Sequence, residues 1–130
     1  MSAIPGIYPH ADLTERILGA AIEVHRQLGP GLLENTYRVC LIHQLGRDNL
    51  RAECEVPISI EYKGISLGTS YRADIIVEDM VLLELKAIEC VLPIHEAQIL
   101  TYLKLCRLQI GLLINFNVTS LKRGIRRFAR

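Results

Sequence analysis

The hydrophobic positions change period several times along the chain, and each change marks an element. Leu13, Ile17, Ala20, Ala21, Val24 and Leu28 recur at helical spacing, which predicts a first helix from about Leu13 to Leu28, stopped by Gly29-Pro30-Gly31. Asp12 stands three residues before Glu15, the spacing of a capping box with Asp in place of Ser or Thr. A second helical pattern follows at once, with Leu33, Tyr37, Cys40, Leu41 and Gln44 on one broad face and Glu34 beside it; Gly46 and Asp48-Asn49 close it. The period then drops to two. Val56, Ile58 and Ile60 alternate with Pro57, Ser59 and Glu61, and Pro57, which cannot donate a ladder hydrogen bond, places this strand at a sheet edge.

Lys63-Gly64 reads as a turn, Ile65 to Thr69 as a short return strand, and 71–77 and 81–87 as two strands around Glu78-Asp79-Met80. A third helix is predicted from about Pro93 to Arg107, with Pro93 tolerated in its first turn. Its repeating positions are Ala97, Leu100, Thr101, Lys104 and Leu105, and Gln98 and Tyr102 form an adjacent stripe. Gln109 to Phe116 is nearly all apolar, as in a buried central strand. The stretch Leu121 to Arg130 reads as a helical turn or an edge strand. Residues 1–11, with Pro5, Gly6 and Pro9, read as a leader, and 12–130 as one α/β domain with a mixed sheet.

Composition narrows the function. With 130 residues, half of them hydrophobic, the chain can bury one sizeable core. Fifteen Lys and Arg against fourteen Asp and Glu leave a net charge of +1, which excludes a highly cationic nucleic-acid coat and an acidic solvating tail. Five Tyr, two Phe and no Trp argue against a platform that stacks single-stranded bases. Cys40, Cys54, Cys90 and Cys106 form no C-x-x-C pair, so a disulfide framework is not expected; Cys40, Cys90 and Cys106 read as small buried apolar residues. The histidines have no zinc-site spacing, and His95 reads as structural at a helix N-terminus. No apolar run is long enough to span a bilayer and no signal peptide is evident, so a cytoplasmic protein with reduced thiols is expected. The positive charge is uneven: Lys122, Arg123, Arg126, Arg127 and Arg130 carry a third of it with no acid among them. Arg123, Arg126 and Arg127 are therefore candidates for contact with a phosphate backbone.

The candidate chemistry lies in the two strands around residues 78–80. Glu84 and Lys86 project from one strand face, in a run that is otherwise Val81, Leu82, Leu83, Leu85 and Ala87, where an unpaired acid is costly to bury. A two-residue loop would set Asp74 against Leu83, on the opposite face from Glu84. A three-residue loop, with Asp79 in a left-handed conformation, sets Asp74 directly across from Glu84, and this is the arrangement expected. Cross-strand Cβ atoms are then roughly 4.5–5.5 Å apart, close enough for two carboxylates to share a divalent cation. Two such acids repel unless a cation lies between them or one keeps its proton. Two acids and a lysine around one Mg²⁺ or Mn²⁺ are the minimum apparatus for metal-assisted phosphodiester hydrolysis.

These residues resemble the D…(D/E)-x-K core of the PD-(D/E)xK nuclease superfamily. Gly31-Leu32-Leu33-Glu34-Asn35-Thr36-Tyr37 is similar to the G-x-x-E-x-x-Y signature of a small bacterial family within it. Tyr71-Arg72-Ala73-Asp74, Glu84-Leu85-Lys86-Ala87, His95-Glu96-Ala97-Gln98 and Gly111-Leu112-Leu113-Ile114-Asn115-Phe116 share the resemblance, which spans about residues 12 to 128; Ala73 stands where the superfamily's name has Pro. The resemblance implies a restriction-endonuclease-like core, a mixed β-sheet flanked by helices. It implies a divalent-metal-dependent nuclease with nucleic acid as partner, DNA ahead of RNA. Asp74, Glu84 and the Leu85 carbonyl would ligate Mg²⁺ (or Mn²⁺), with Glu34 as an accessory acid, and Lys86 would serve the water or the phosphate. Gln98 and Tyr102 are similar to a Q-x-x-x-Y element that would steady Lys86 or contact a phosphate. Tyr37 and Tyr102 also read as packing residues whose hydroxyls find partners. The alternative is a non-catalytic domain of the same fold that binds nucleic acid or a protein. A homodimer could form through the edge strand near Pro57 or the first helix.

Overall fold

The computed structural model describes residues 9–68 and 71–130, so most of the expected leader and the end of the expected return strand, at Thr69, lie outside the described residues. The chain runs α1 (Ala11–Leu28), α2 (Glu34–Arg47), β1 (Ala52–Ile58), β2 (Glu61–Tyr62), β3 (Ile65–Ser66), β4 (Tyr71–Val77), β5 (Val81–Lys86), α3 (Pro93–Cys106), β6 (Ile110–Asn115), a 3₁₀ turn at Leu121–Gly124, and β7 (Ile125–Ala129). Five strands form one mixed sheet in the order β1-β4-β5-β6-β7, with β5 and β6 parallel and every other pair antiparallel. Helix α3 is the crossover that a parallel pair requires. This is the expected mixed sheet flanked by helices, with the Pro57 strand on its edge. Both readings of the last ten residues are realised in sequence, a helical turn and then an edge strand.

Alternation along the strands feeds two cores. Ile75, Val77, Val81, Leu83, Leu85, Leu112 and Ile114 meet α1 and α2, while Leu82 and Leu113 meet α3 through Ile99, Tyr102 and Leu103. All six residues of β6 are buried, as a central strand requires. In α1 the predicted face is the buried one, through Ile17, Ala20, Ala21 and Val24. The capping box at Asp12 does not form. His10 ends the preceding turn in a left-handed conformation and accepts the first helical bond from the Thr14 N–H at 2.9 Å, so Asp12 lies inside the first turn, where the helix dipole favours it. In α2 the apolar face is Tyr37, Leu41 and Leu45; Leu33 is the N-cap and is exposed.

The face of α3 differs from the expected one. Ala97, Leu100, Thr101 and Lys104 are exposed, and Ile99, Tyr102 and Leu103 are buried. Apolar residues surround this helix, so its period does not single out a side. The sheet does so through Gly111, because a Cβ there would stand 3.1 Å from Ile99 and 3.2 Å from Leu103. Cys90 is exposed rather than buried, since it falls in the link between β5 and α3, and Cys40 is half-buried. The four cysteines are free.

The loop between β4 and β5 has the expected three residues, with the register Ile75↔Leu83, Ile76↔Leu82 and Val77↔Val81. Glu78 and Asp79 both adopt positive φ, 52° and 56°. The strain is held from outside: Arg51 and Glu78 exchange two hydrogen bonds at 2.6 and 2.8 Å, and the Arg51 guanidinium pairs with Asp79.

Two glycines give opposite expectations. A Cβ on Gly124 would lie 2.0 Å from the Asn115 carbonyl oxygen, so Gly124→Ala must displace backbone and should destabilise by about 1–3 kcal/mol. Gly19 is exposed inside α1 with open space around it, and Gly19→Ala should stabilise by about 0.5–1 kcal/mol. Urea unfolding of the two variants against the parent should move the midpoints in opposite directions.

Candidate active site

The ladder between β4 and β5 stops at Ile75↔Leu83. One step on, the register sets Asp74 across from Glu84, and side chains replace the backbone bonds. The Asp74 N–H donates to Glu84 Oε1 at 3.2 Å, and the Leu85 N–H donates to Asp74 Oδ2 at 2.9 Å. On its other side β4 pairs with β1, and that register too skips the step at Asp74, where Glu55 has a φ of 51°. The strand turns over at this point. Ile75 faces the α1/α2 core, whereas Ala73, two residues away, faces the α3 core. This irregularity resembles a β-bulge in its effect, re-aiming one side chain where a regular strand would pair.

Asp74 lies between two kinds of donor. Its Oδ1 accepts from Arg38 Nη1 at 3.0 Å, and Arg38 is itself held by Asn35 Oδ1 at 2.8 Å and faces Glu55 at 3.9 Å. Glu84 is only 6% exposed. Burial, and next the charge of Asp74, push its carboxyl up to about 8, against the pull of the Asp74 N–H and Lys86. Glu34, the first residue of α2, is also raised, by burial and then by Asp74, and lowered in part by Lys86 and Arg38. Glu34, Asp74, Glu84 and Lys86 therefore share one electrostatic neighbourhood, contributed by α2, β4 and β5. Leu85 places its side chain in the core and its amide on Asp74.

From α3, Tyr102 faces the same acids. Burial, followed by Glu84, raises its phenol, and its hydroxyl accepts from Gln98 Nε2 at 3.4 Å. Gln98 thus contacts Tyr102. The arginines are not gathered in the same way. Arg126 and Arg127 lie on β7, two strands from β5; Arg126 pairs with Glu96 of α3, and half-buried Arg127 reaches toward the Pro9 carbonyl at 3.4 Å. Arg123 is exposed on the 3₁₀ turn. Along the register, Leu113 separates Arg126 from Glu84. His95 has the structural role expected, its Nδ1 accepting from the Leu92 N–H at 2.9 Å.

Two supporting residues escaped the sequence reading. Arg38 stands four residues after Glu34, a spacing that puts both on one side of a helix, and this was the available signal. Asn115 pairs in register with Lys86 and is 3% exposed. Its Oδ1 accepts from the Ile88 and Asn117 N–H groups at 3.1 and 3.2 Å, and its Nδ2 donates to the Ile88 carbonyl at 2.9 Å. The chain leaving Lys86 is pinned by this amide. Among the described residues no three His, Cys, Asp or Glu side chains converge as a metal cage. What the gap brings together is a pair of carboxyl groups, Asp74 and Glu84, each accepting a backbone N–H.

Compared with known protein families, residues 11–128 match the PD-(D/E)XK nuclease superfamily. Searches of curated proteins and of solved structures return no significant match.

The buried glutamate makes stability depend on pH. From its ordinary value of 4.5 up to about 8 the folded chain keeps the Glu84 proton while the unfolded chain loses it, so stability falls as pH rises through that window. Glu84→Gln removes the penalty. In thermal melts of the metal-free protein the variant should gain on the parent steadily from pH 5 to pH 8, reaching a few kcal/mol at the upper end.

Proposed function

The chain belongs to the PD-(D/E)XK nuclease superfamily, and we propose that it is a divalent-metal-dependent nuclease hydrolysing phosphodiester bonds in DNA. Within the superfamily we assign it to the GxxExxY family, on Gly31, Glu34 and Tyr37. The observation that carries the proposal is the meeting of Asp74 and Glu84 in one gap between parting strands, with Glu84 desolvated. Superfamily members generally use divalent metals, and the donors here fit one: hard carboxylate oxygens, with Asp74, Glu84 and the Leu85 carbonyl as the holding set and Glu34 approaching from α2. A bound Mg²⁺ or Mn²⁺ would polarise a phosphate oxygen and lower the pKa of a coordinated water.

The chain's own groups do the rest. The Leu85 amide and Arg38 hold the Asp74 carboxylate in one orientation. Lys86, two residues beyond Glu84 on the same strand face, orients the attacking water or offsets charge on the phosphate. Gln98 and Tyr102 border the site from α3, where they would contact a phosphate or steady the lysine. Arg123, Arg126 and Arg127 would meet the strand further from the cut, so they serve affinity rather than chemistry.

A second reading has one observation in its favour. Arg38 already gives Asp74 a cationic partner, which a non-catalytic domain of this fold would need for stability. As for compartment, no described helix is long and apolar enough to cross a membrane, and the four cysteines are free. We place the protein in the cytoplasm on the thiols.

Cleavage of plasmid and of linear single- and double-stranded DNA, with Mg²⁺, Mn²⁺ or EDTA, decides between the readings. Chelation should abolish activity, and Lys86→Ala and Asp74→Asn should each lower it by about 100-fold or more. Equal activity in the parent and both variants would reveal a contaminant. No calorimetric binding of millimolar Mn²⁺, with or without DNA, would favour the non-catalytic domain.

A further inference from the structure

A cavity of about 420 Å³ opens between α3 and the start of β4. We propose that it seats one unpaired base of a DNA strand, beside the phosphate that Asp74 and Glu84 would address. The inference rests on the nuclease reading and narrows its substrate to DNA that is single-stranded or frayed where it is cut.

The first argument is position. Tyr71, half exposed on the cavity wall, is three residues before Asp74 on the same strand, roughly 10 Å away at strand rise. Tyr102 is common to the cavity and to the acid strand: it lines the one, and it packs in the α3 core with Leu82 and Leu113, Leu113 standing in register beside Glu84. A nucleotide next to the scissile phosphate reaches that far.

The second argument is chemistry. The wall combines the Tyr71 ring and apolar Ile60, Ile94 and Leu105 with an amide and a hydroxyl, from Gln98 and Thr101. Among the described residues no Lys or Arg lines it and His95 is its one ionisable nitrogen, so the wall favours a base over a phosphate. A flat, neutral group with a polar edge fits these walls. A base inside a duplex keeps both faces stacked and cannot present one; an unpaired base can. The low aromatic content argues against a platform for several bases, whereas this cavity asks for one.

The test is binding without cutting, in Lys86→Ala, with both carboxylates intact and Mn²⁺ present. Fluorescence anisotropy should show single-stranded DNA bound about tenfold or more tighter than a blunt duplex of the same sequence. Abasic residues throughout the strand should remove about tenfold of that affinity, the scale of one lost stacking contact. Thr101→Phe, which fills the cavity from an exposed helix position, should do the same to the ordinary strand. Duplex bound as tightly as single strand, or abasic DNA bound as tightly as ordinary DNA, would overturn the assignment. Tighter binding of the matching RNA strand would overturn the choice of DNA. The base discrimination seen beside a parent protein that cuts nothing would sink the nuclease reading and keep the cavity. Cleavage without that discrimination would do the reverse.

Discussion

Where β4 and β5 draw apart, two carboxylates take over the hydrogen bonds that the backbones relinquish. Asp74 accepts from the amide of Leu85, and Glu84 accepts from the amide of Asp74. An unbroken ladder would close this part of the sheet and leave no opening. A gap with no substitute acceptors would strand buried N–H groups, at a penalty of about 1–3 kcal/mol each. The exchange satisfies the amides and brings two acids together in the same act. Its residual cost falls on Glu84, because Arg38 pairs with Asp74 and the pull of Lys86 does not offset burial. Burial and the charge of Asp74 therefore keep the Glu84 proton in place up to about pH 8, which sets this acid apart from its ion-paired neighbour.

The spacing G-x-x-E-x-x-Y has a mechanical reading in this frame. Gly31 takes a φ of 96° in the turn that ends α1's exit, a conformation open to glycine. Tyr37 then clamps that turn: its hydroxyl donates to the Gly29 carbonyl at 2.6 Å and accepts from the Leu32 N–H at 3.1 Å. Its ring stacks on Phe116, with centroids 4.5 Å apart, just beyond the end of β6. Glu34 opens the helix between these two fixed points. The turn, the acid and the anchor are three parts of one device that delivers a carboxylate to the end of β5, while Asn115 steadies the chain leaving that strand.

What the sequence made legible follows from what repeats locally. Strand alternation and the three residues 78–80 were enough to set Asp74 against Glu84, since a one-residue change of register reverses every side chain. Residues whose role depends on distant neighbours were not legible. The buried face of α3 is chosen by Gly111 across the sheet, and Arg38 acquires its partner from β4 and a facing group from β1. The reversal at Asp74 shows in no hydrophobic period, because it comes from interruption on both sides of the strand. The basic tail looked like one patch on paper. Alternation along β7 sends Arg126 and Arg127 to opposite faces, and each finds its own contact.

The hairpin that joins β4 to β5 lies on the surface away from Asp74 and Glu84, yet it sets the phase of everything beyond it. Elsewhere an exposed loop absorbs inserted or deleted residues with little effect. Here Arg51 grips Glu78 and Asp79 from the start of β1, and losing one residue would carry Asp74 past its partner to face Leu83. The residues of this turn can be exchanged within the limits of two left-handed positions, but adding or removing one shifts the phase of both strands. What that corner fixes is a count.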